Sequence, residues 1–380
     1  MRRFDLGMSI DYCPNWGVVE AVREFFQNAL DAQTVSPENT MYFEYVSSEQ
    51  VLRIGNRNGS LGTNTLLLGQ SSKRSDSSTI GQHGEGYKVA TVVLLRNEKS
   101  VTVYNRGSKE VWFAKVVKSR RYNADVCVFD IEKVSTFKSV PNHDLIFEIG
   151  NITEAEYEAI KDSNLHLQKI DAENIIEADG SRILLDQAHS GKIYVNGLFV
   201  CKSKVAKYGY DIKPALMKLD RDRGLVDSYD LQFALAKIIC ATGNTDFIHD
   251  VKELWDGQYI RFYLNSYLGQ PDLSALFDRV YNEFTEKHGE GAVPVTSTEE
   301  FNRLKANGYN AVLVSESNYH YITNSSSYSD PCAVDEGTKS NSVLADELES
   351  WFSEIKDVDQ SLYDSGEAVV LEVLKRLREN

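Results

Sequence analysis

A glycine-rich stretch, Ile80-Gly81-Gln82-His83-Gly84-Glu85-Gly86-Tyr87-Lys88, constrains the fold of this chain more than any other segment. Its three glycines fall within six residues and precede the apolar run 89–95. Glycine allows a tight turn and a close approach to a ligand because it has no Cβ. At the start of a helix, such a turn directs free N–H groups and the positive end of the helix dipole at one point. The stretch therefore predicts an anion site, with phosphate as the usual ligand.

The spacing G-x-x-G-x-G-x-K fits neither of the two common nucleotide motifs. A dinucleotide-binding fold needs G-x-G-x-x-G, and a P-loop needs a lysine where this chain has Tyr87. A glycine turn that only caps a helix is the competing interpretation, and a second motif is needed to decide between the two.

That second motif lies on a helix predicted over residues 16–32, with Asn15 as its N-cap. Glu24, Asn28 and Asp31 fall within a narrow stripe of this helix, opposite an apolar face. A solvated surface is the ordinary interpretation of such a stripe. A carboxylate, an amide and a second carboxylate with no lysine beside them are better suited to holding a metal ion and a water molecule.

Composition restricts the class of protein. The net charge of −15 argues against binding nucleic acid through bulk electrostatics, but it leaves room for a local basic patch at Lys118-Ser119-Arg120-Arg121, where a solvated turn is the simpler interpretation. The five cysteines are scattered, which is typical of a reducing cytoplasm without disulfides or a zinc ribbon. No apolar run approaches the roughly 18 residues that a membrane span needs. We therefore expect a cytoplasmic protein that does not engage a membrane.

The predicted elements divide the chain into three regions. Residues 1–155 contain two helices and alternating strands, which predict an α+β sandwich with one mixed or antiparallel sheet covered by helices on one face. These strands lie near 41–45, 51–54, 100–105, 110–118, 124–131 and 144–149. The polar segment 70–78, with Ser72 and Lys73, is predicted to be a mobile lid ahead of the glycine loop.

The second and third regions are less regular. A polar helical segment is predicted over 151–174, where the first region passes into the second, residues 156–245. The second unit then opens with strands over 182–185 and 192–200, where Asn196-Gly197 predicts a hairpin turn. Residues 246–380 are helix-rich and acidic, with one β-α-β unit over 293–314.

The order of these features resembles the Bergerat ATP-binding fold of the GHKL superfamily, which includes gyrase, the heat-shock chaperone class, histidine kinases and mismatch-repair MutL. The features are a helix with E-x-x-x-N-x-x-D, a turn after a strand, and a lid that ends in G-x-x-G-x-G. The resemblance covers residues 10–150 and extends more loosely to about 245, where gyrase-, MutL- and chaperone-like members carry a transducer domain. It implies a Bergerat α/β sandwich, a transducer-like α/β domain and a helix-rich C-terminal region.

The resemblance also implies roles for individual residues. Glu24 would be the general base that activates the water attacking the γ-phosphate, and Asn28 would bind Mg²⁺. Asp31 would contact the nucleotide, or alternatively cap the helix or meet the lid. Lys88 would add a positive charge at the phosphates or extend into solvent. The loop residues expected to contact ATP are Gly81, Gln82, His83, Gly84, Glu85, Gly86, Tyr87 and Lys88.

The turn after the strand departs from the family pattern D-x-G-x-G. If Leu61 is aligned with the hydrophobic residue after that pattern, Asn56 takes the place of the aspartate that reads adenine. An asparagine oxygen can accept a hydrogen bond from the adenine amino group, but a flipped amide would present a donor instead. The family's threonine from a later strand is also missing, and Asp144 stands in its place.

A basic residue of the transducer domain reaches the γ-phosphate in the gyrase-, MutL- and chaperone-like members. Lys218, Arg221 and Arg223 lie where such a residue is expected, so Arg221 or Arg223 is predicted to act as an arginine finger. A surface turn that caps the following helix is the alternative.

The resemblance thus implies an ATPase in which ATP closes the lid and docks the second domain or dimerises the chain. The alternative is a chaperone-like binding protein whose degenerate pocket holds a nucleotide without hydrolysing it. The acidic surface favours a protein partner over nucleic acid. A GHKL module joined to an unfamiliar C-terminal region is compatible with a bacterial or phage protein.

Overall fold

The computed structural model describes residues 1–67, 86–137, 144–217, 219, 228–266 and 273–332, together with positions 345, 348–352, 367, 369–371 and 373–375. The chain divides into two compact units, Met1–Pro271 and Asp272–Asn380. The finer domain boundaries near 155 and 245 remain predictions.

A seven-stranded sheet dominates the described part of the first unit. Its strands are β1 Arg2–Ser9, β2 Met41–Val46, β3 Val51–Asn56, β4 Ser100–Asn105, β5 Glu110–Ser119, β6 Ala124–Lys133 and β7 Leu145–Gly150. The strand order is β1-β6-β5-β4-β7-β3-β2, and each pair of neighbours is antiparallel. The predicted α+β class and the predicted strands of this region are confirmed.

Two helices, α1 Val18–Val35 and α2 Gly86–Arg96, pack on one face of this sheet. Alternating strand residues such as Leu52 and Ile54 point towards the helices and are fully buried. Phe25 of α1 meets Phe147 of β7 with ring centroids 4.7 Å apart. The core therefore lies between α1, α2 and the sheet, and it fixes the position of both helices.

The predicted N-cap of α1, Asn15, is wrong by two residues. The helix begins at Val18 because the Gly17 N–H donates to Glu20 Oε2 at 2.9 Å, which satisfies a donor that the helix itself leaves unpaired. Trp16 belongs to the preceding turn, where its N–H donates to the Cys13 carbonyl at 3.1 Å.

A second, five-stranded sheet follows within the first unit. Its strands are β8 Ile175–Ala178, β9 Ser181–Leu184, β10 Lys192–Val195, β11 Leu198–Lys202 and β12 Gly209–Ile212, in the order β11-β10-β12-β9-β8. The β10–β12 pair is parallel and the other pairs with a described register are antiparallel. The hairpin at Asn196-Gly197 is confirmed, since both residues have the positive φ that a two-residue turn requires.

In the sequence, one helix precedes the strands of this second sheet and three follow them. They are α3 Glu154–Asp162 before the strands, and α4 Ser228–Ala241, α5 Thr245–Val251 and α6 Ile260–Ser266 after them. The helix predicted over 151–174 is too long. It ends at Asp162 because Asn164 leaves the helical path and forms a β-bridge with Leu198, a contact distant in sequence.

The described part of the second unit contains α7 Ser274–His288, β13 Val293–Val295, α8 Thr298–Ala306, β14 Ala311–Leu313 and α9 Glu316–Thr323. β13 and β14 pair in parallel across α8, which confirms the predicted β-α-β unit. In the ranges described for both units, every helix is too short or too polar to span a lipid bilayer.

Candidate functional site

The polar stripe of α1 is largely enclosed by the protein. Glu24 and Asp31 are 2% and 1% exposed, and Asn28 is half-buried. Burying a carboxylate costs free energy, because the charged group loses its water. Two buried carboxylates and an amide on one face of a helix therefore form a candidate functional site.

Gly86, the first residue of α2, lies directly against this stripe. A Cβ built on Gly86 would overlap Glu24 Oε2 and would stand 3.7 Å from Asn28 Nδ2. A larger residue at this position would force the Glu24 carboxylate to move, so the last glycine of the predicted loop allows the carboxylate of the α1 motif to lie against α2. The glycine-rich loop and the polar stripe of α1, which are far apart in the sequence, thus meet at Gly86.

Several predicted site residues lie outside the described part of the chain. They are Ser72, Lys73, Gly81, Gln82, His83, Gly84, Glu85, Lys218, Arg221 and Arg223. Their roles remain predictions.

Lys88 points into the protein. Its side chain is fully buried, and Nζ donates to the carbonyls of Thr65 at 2.8 Å and Leu67 at 2.6 Å. The alternative that Lys88 extends into solvent is therefore wrong. Its ammonium ties the segment after β3 to the start of α2, and a contact with phosphate remains a prediction.

Tyr87 joins the same two segments. Its hydroxyl lies 3.0 Å from Thr65 Oγ1, and its ring packs 5.9 Å from the ring of Phe147. Burial raises the pKa of the Tyr87 hydroxyl to about 12. Tyr87 thus stays neutral and anchors α2. Its contact with a nucleotide remains a prediction.

Asn56 has a fixed amide orientation. Nδ2 donates to the carbonyls of Ala29 at 2.9 Å and Asn39 at 3.0 Å, so both of its hydrogens are used. A flipped amide would set Oδ1 against two carbonyl oxygens, which repel it. Oδ1 is therefore the group that Asn56 offers to a ligand, and it is an acceptor, as the aspartate of the family pattern would be.

Leu61 and Asp144 lie at the same end of the sheet as Asn56. The Leu61 carbonyl accepts from Asn105 Nδ2 at 2.7 Å. The Asp144 N–H donates to the Arg57 carbonyl at 2.9 Å, where β7 approaches the end of β3. The structure brings these predicted residues together around one end of the sheet.

Sequence reasoning missed Asn105, which is fully buried at the end of β4. Asn56 and Asn105 flank Leu145 in one cross-strand row, on the face that carries α1 and α2. Asn105 Oδ1 accepts no hydrogen bond from the described residues. The available signal was an asparagine that ends an otherwise alternating strand on its inward-facing side.

Sequence reasoning also missed Arg23, the neighbour of Glu24. Its Nη1 donates to the Phe199 carbonyl of β11 at 3.2 Å, and its guanidinium lies 5.6 Å from the centre of the Trp16 ring. Arg23 Nε stands 3.9 Å from Glu24 Oε1. Together with Gln27, Arg23 lines a small recess against the β10–β11 hairpin, so α1 contacts the second sheet on the side next to its site stripe.

The donor set fits Mg²⁺ held jointly with phosphates. The described residues contain no group of three or more His, Cys, Asp or Glu side chains placed to hold a metal ion. Mg²⁺ is often bound through one or two protein oxygens together with substrate phosphates. The Asn28 amide, whose Nδ2 stands 3.7 Å from a Cβ built on Gly86, would supply one such oxygen with its O and N exchanged, and the absence of a Cβ at Gly86 keeps space beside it.

No protein-family model matches the sequence, and no curated protein matches it. The chain is similar to the ATPase region of Saccharomyces cerevisiae topoisomerase II, with a TM-score of 0.29 and 10% identity. That similarity covers 48% of this chain and 61% of the yeast region.

Proposed function

We propose that the Met1–Pro271 unit binds ATP with Mg²⁺ and hydrolyses its γ-phosphate. The contact of Gly86 with Glu24 and Asn28 carries this proposal, because it joins the end of a glycine-rich loop to a carboxylate and an amide. Phosphoryl transfer needs an oriented water and neutralised phosphate oxygens more than it needs covalent chemistry.

The phosphates would lie at the N-terminus of α2. The first N–H groups of a helix have no partner within it, and the helix dipole places partial positive charge there. Gly86 starts α2 beside Glu24, so an anion bound at this terminus would lie next to the carboxylate. Gly81 and Gly84 would extend the cradle.

Glu24 would accept the proton of the attacking water. A positioned general base contributes about 10²- to 10⁴-fold to a rate. Asn28, one helical turn further on, would hold Mg²⁺ through its amide oxygen. Bound Mg²⁺ would neutralise the charge that develops on the phosphate oxygens.

Asn56 would read the base. Because its Nδ2 is committed to two carbonyls, its Oδ1 would accept a hydrogen bond from the amino group of adenine. Guanine carries a carbonyl oxygen at the corresponding position and would face Oδ1 with a second acceptor. Adenine is therefore the base that this residue favours.

The second sheet would respond to the nucleotide through α1. Arg23 connects the neighbour of the general base to the Phe199 carbonyl of β11. A change at Glu24 would thus reach the second sheet through a direct contact. We include two conformational steps in this proposal. Arg221 or Arg223 would dock onto the γ-phosphate, and binding of ATP would dimerise the chain.

Calorimetric titration of the full chain with ATP and GTP, each with Mg²⁺ and with a chelator, tests the binding step. We expect saturable binding of ATP that weakens without Mg²⁺, and weaker binding of GTP by at least ~10-fold because of the opposed acceptors. Asn28→Ala should remove most of the Mg²⁺ dependence, whereas the exposed control Glu38→Gln should behave as wild type. Absence of binding by every nucleotide would refute the proposal.

A further inference from the structure

We propose that the tip of the β5–β6 hairpin, residues 118–122, binds the phosphate backbone of a nucleic acid. This basic tip consists of Lys118, Ser119, Arg120, Arg121 and Tyr122. It lies apart from the residues placed in the nucleotide site, and it does not depend on the proposed ATPase activity.

The geometry of the hairpin presents these side chains to solvent. β5 and β6 pair from Glu110↔Lys133 up to Ser119↔Ala124, and residues 120–123 form the turn. Lys118, Arg120 and Arg121 are exposed, and Tyr122 is 52% exposed. The Arg121 guanidinium stands 5.4 Å from the centre of the Tyr122 ring, so the two side chains form one cationic and aromatic surface.

The three cations of the basic tip have no ion pair with any described residue, in contrast to their neighbours. Lower on the same sheet, Arg3 and Lys115 both bind the Asp130 carboxylate, at 2.7 Å and 3.0 Å. Lys115, in the middle of β5, is therefore neutralised by a carboxylate, whereas the cations of the tip are available to a partner. That distribution suits a partner that brings its own negative charge.

The local charge of the tip opposes the charge of the whole chain. No Asp or Glu occurs in residues 111–124, and Asp125 lies across the ladder from Lys118. Charges further away than a Debye length of about 8 Å at physiological salt are largely screened. The net charge of −15 therefore sets the long-range field but does not cancel the attraction at the tip.

The chemistry of the residues favours nucleic acid over an acidic protein. Arginine binds phosphate through two parallel hydrogen bonds, and an exposed aromatic ring can stack on an unpaired base. Acidic proteins offer carboxylates but no bases, so stacking of an unpaired base on Tyr122 would distinguish a nucleic acid from an acidic protein. Duplex and single-stranded nucleic acids share the phosphate backbone, and they differ in whether bases are free to stack.

Fluorescence anisotropy of the full chain with a labelled 30-nucleotide single strand and a 30-base-pair duplex tests this inference in the absence of ATP. Three phosphate contacts on a duplex predict a loss of affinity of roughly 40-fold between 50 and 200 mM salt. The variant Lys118→Gln/Arg120→Gln/Arg121→Gln should bind at least ~10-fold more weakly and lose most of this salt dependence. Tyr122→Ala should weaken binding of the single strand by about 5-fold or more if unpaired bases stack on the ring, and should leave the duplex unaffected.

The chain offers a control with the same change in charge. Lys202, Lys204 and Lys207 are exposed lysines on another part of the first unit, and Lys207 Nζ stands 5.0 Å from the centre of the Tyr208 ring. Lys202→Gln/Lys204→Gln/Lys207→Gln should retain wild-type affinity. Three results would overturn the inference: no binding by wild type at 50 mM salt, equal losses in the two triple variants, or competition by polyglutamate as effective as competition by unlabelled oligonucleotide. A thermal melt of each variant verifies that the fold is intact.

Discussion

Gly86 is the residue at which the two sequence motifs meet, and it is the most sensitive position for a small substitution. In Gly86→Ala, the new Cβ would overlap Glu24 Oε2, so the carboxylate has to move away from the α2 terminus. We expect ATP hydrolysis to fall by at least ~10²-fold, the contribution of a positioned base. Gly107→Ala is the matched control, because its Cβ would meet only Ser60 Cβ at 3.4 Å. Wild-type turnover in Gly86→Ala, measured by phosphate release, would contradict this placement of Glu24.

Asn56 leads to a prediction that runs against the family pattern. Asn56→Asp restores the usual aspartate, yet it removes the donors to the Ala29 and Asn39 carbonyls and sets a carboxylate oxygen against them. Leaving buried acceptors unsatisfied costs about 1–3 kcal/mol. We therefore expect a lower free energy of unfolding in urea, with no gain in adenine affinity. Asn58→Asp, which loses a bond from an exposed amide to the Glu38 carbonyl, should cost less. An Asn56→Asp variant as stable as wild type would disprove the assigned amide orientation.

At the scale of elements, α2 is held to the segment after β3 by a buried lysine. Lys88→Met keeps the apolar stem but leaves the Thr65 and Leu67 carbonyls without their donor. Hydrogen bonds to a charged group contribute about 1.5–3 kcal/mol, so unfolding should require less free energy by an amount in that range. Lys133→Met, at an exposed position, is the control. Hydrogen exchange of the α2 amides should also be faster in Lys88→Met, and unchanged exchange would argue against this anchor.

The edge of the first sheet should be sensitive to acid. Arg3 and Lys115 both bind Asp130, and these contacts hold the pKa of the Asp130 carboxyl well below its ordinary value. A carboxyl whose folded pKa is depressed stabilises the fold above the unfolded pKa of about 3.9. That contribution is lost as pH falls below this value towards the folded pKa. Asp130→Asn should therefore be less stable than wild type at pH 7, and the difference should shrink below about pH 4. A difference that does not vary with pH would show that the ion pairs do not stabilise this edge.

Helix boundaries show which elements the sequence can predict. The strands β2 to β7 follow from alternating apolar residues, since one face of each strand packs against α1 and α2. The predicted start of α1 is wrong because Glu20, inside the helix, accepts from the Gly17 N–H, so that Gly17 is the N-cap. The helix predicted over 151–174 fails because Asn164 pairs with Leu198, and no local pattern records such a contact.

At the scale of the whole molecule, the candidate site depends on contacts between distant segments. The stripe of Glu24, Asn28 and Asp31 could be predicted from helical spacing alone. The closeness of Gly86 to that stripe, the fixed amide of Asn56 and the contact of Arg23 with β11 could not, because each depends on how α1 packs against other elements. Propensity and periodicity describe local structure, whereas these contacts are set by packing.

Steady-state phosphate release by wild type and Glu24→Gln, with ATP binding measured on the same samples, tests the central claim most directly. Both proteins should bind Mg²⁺–ATP, since Gln preserves the shape of Glu24 beside Gly86. Only wild type should release phosphate, with Glu24→Gln slower by at least ~10²-fold. Equal rates in the two proteins, or no ATP binding by either, would contradict the claim that this site is an ATPase centre.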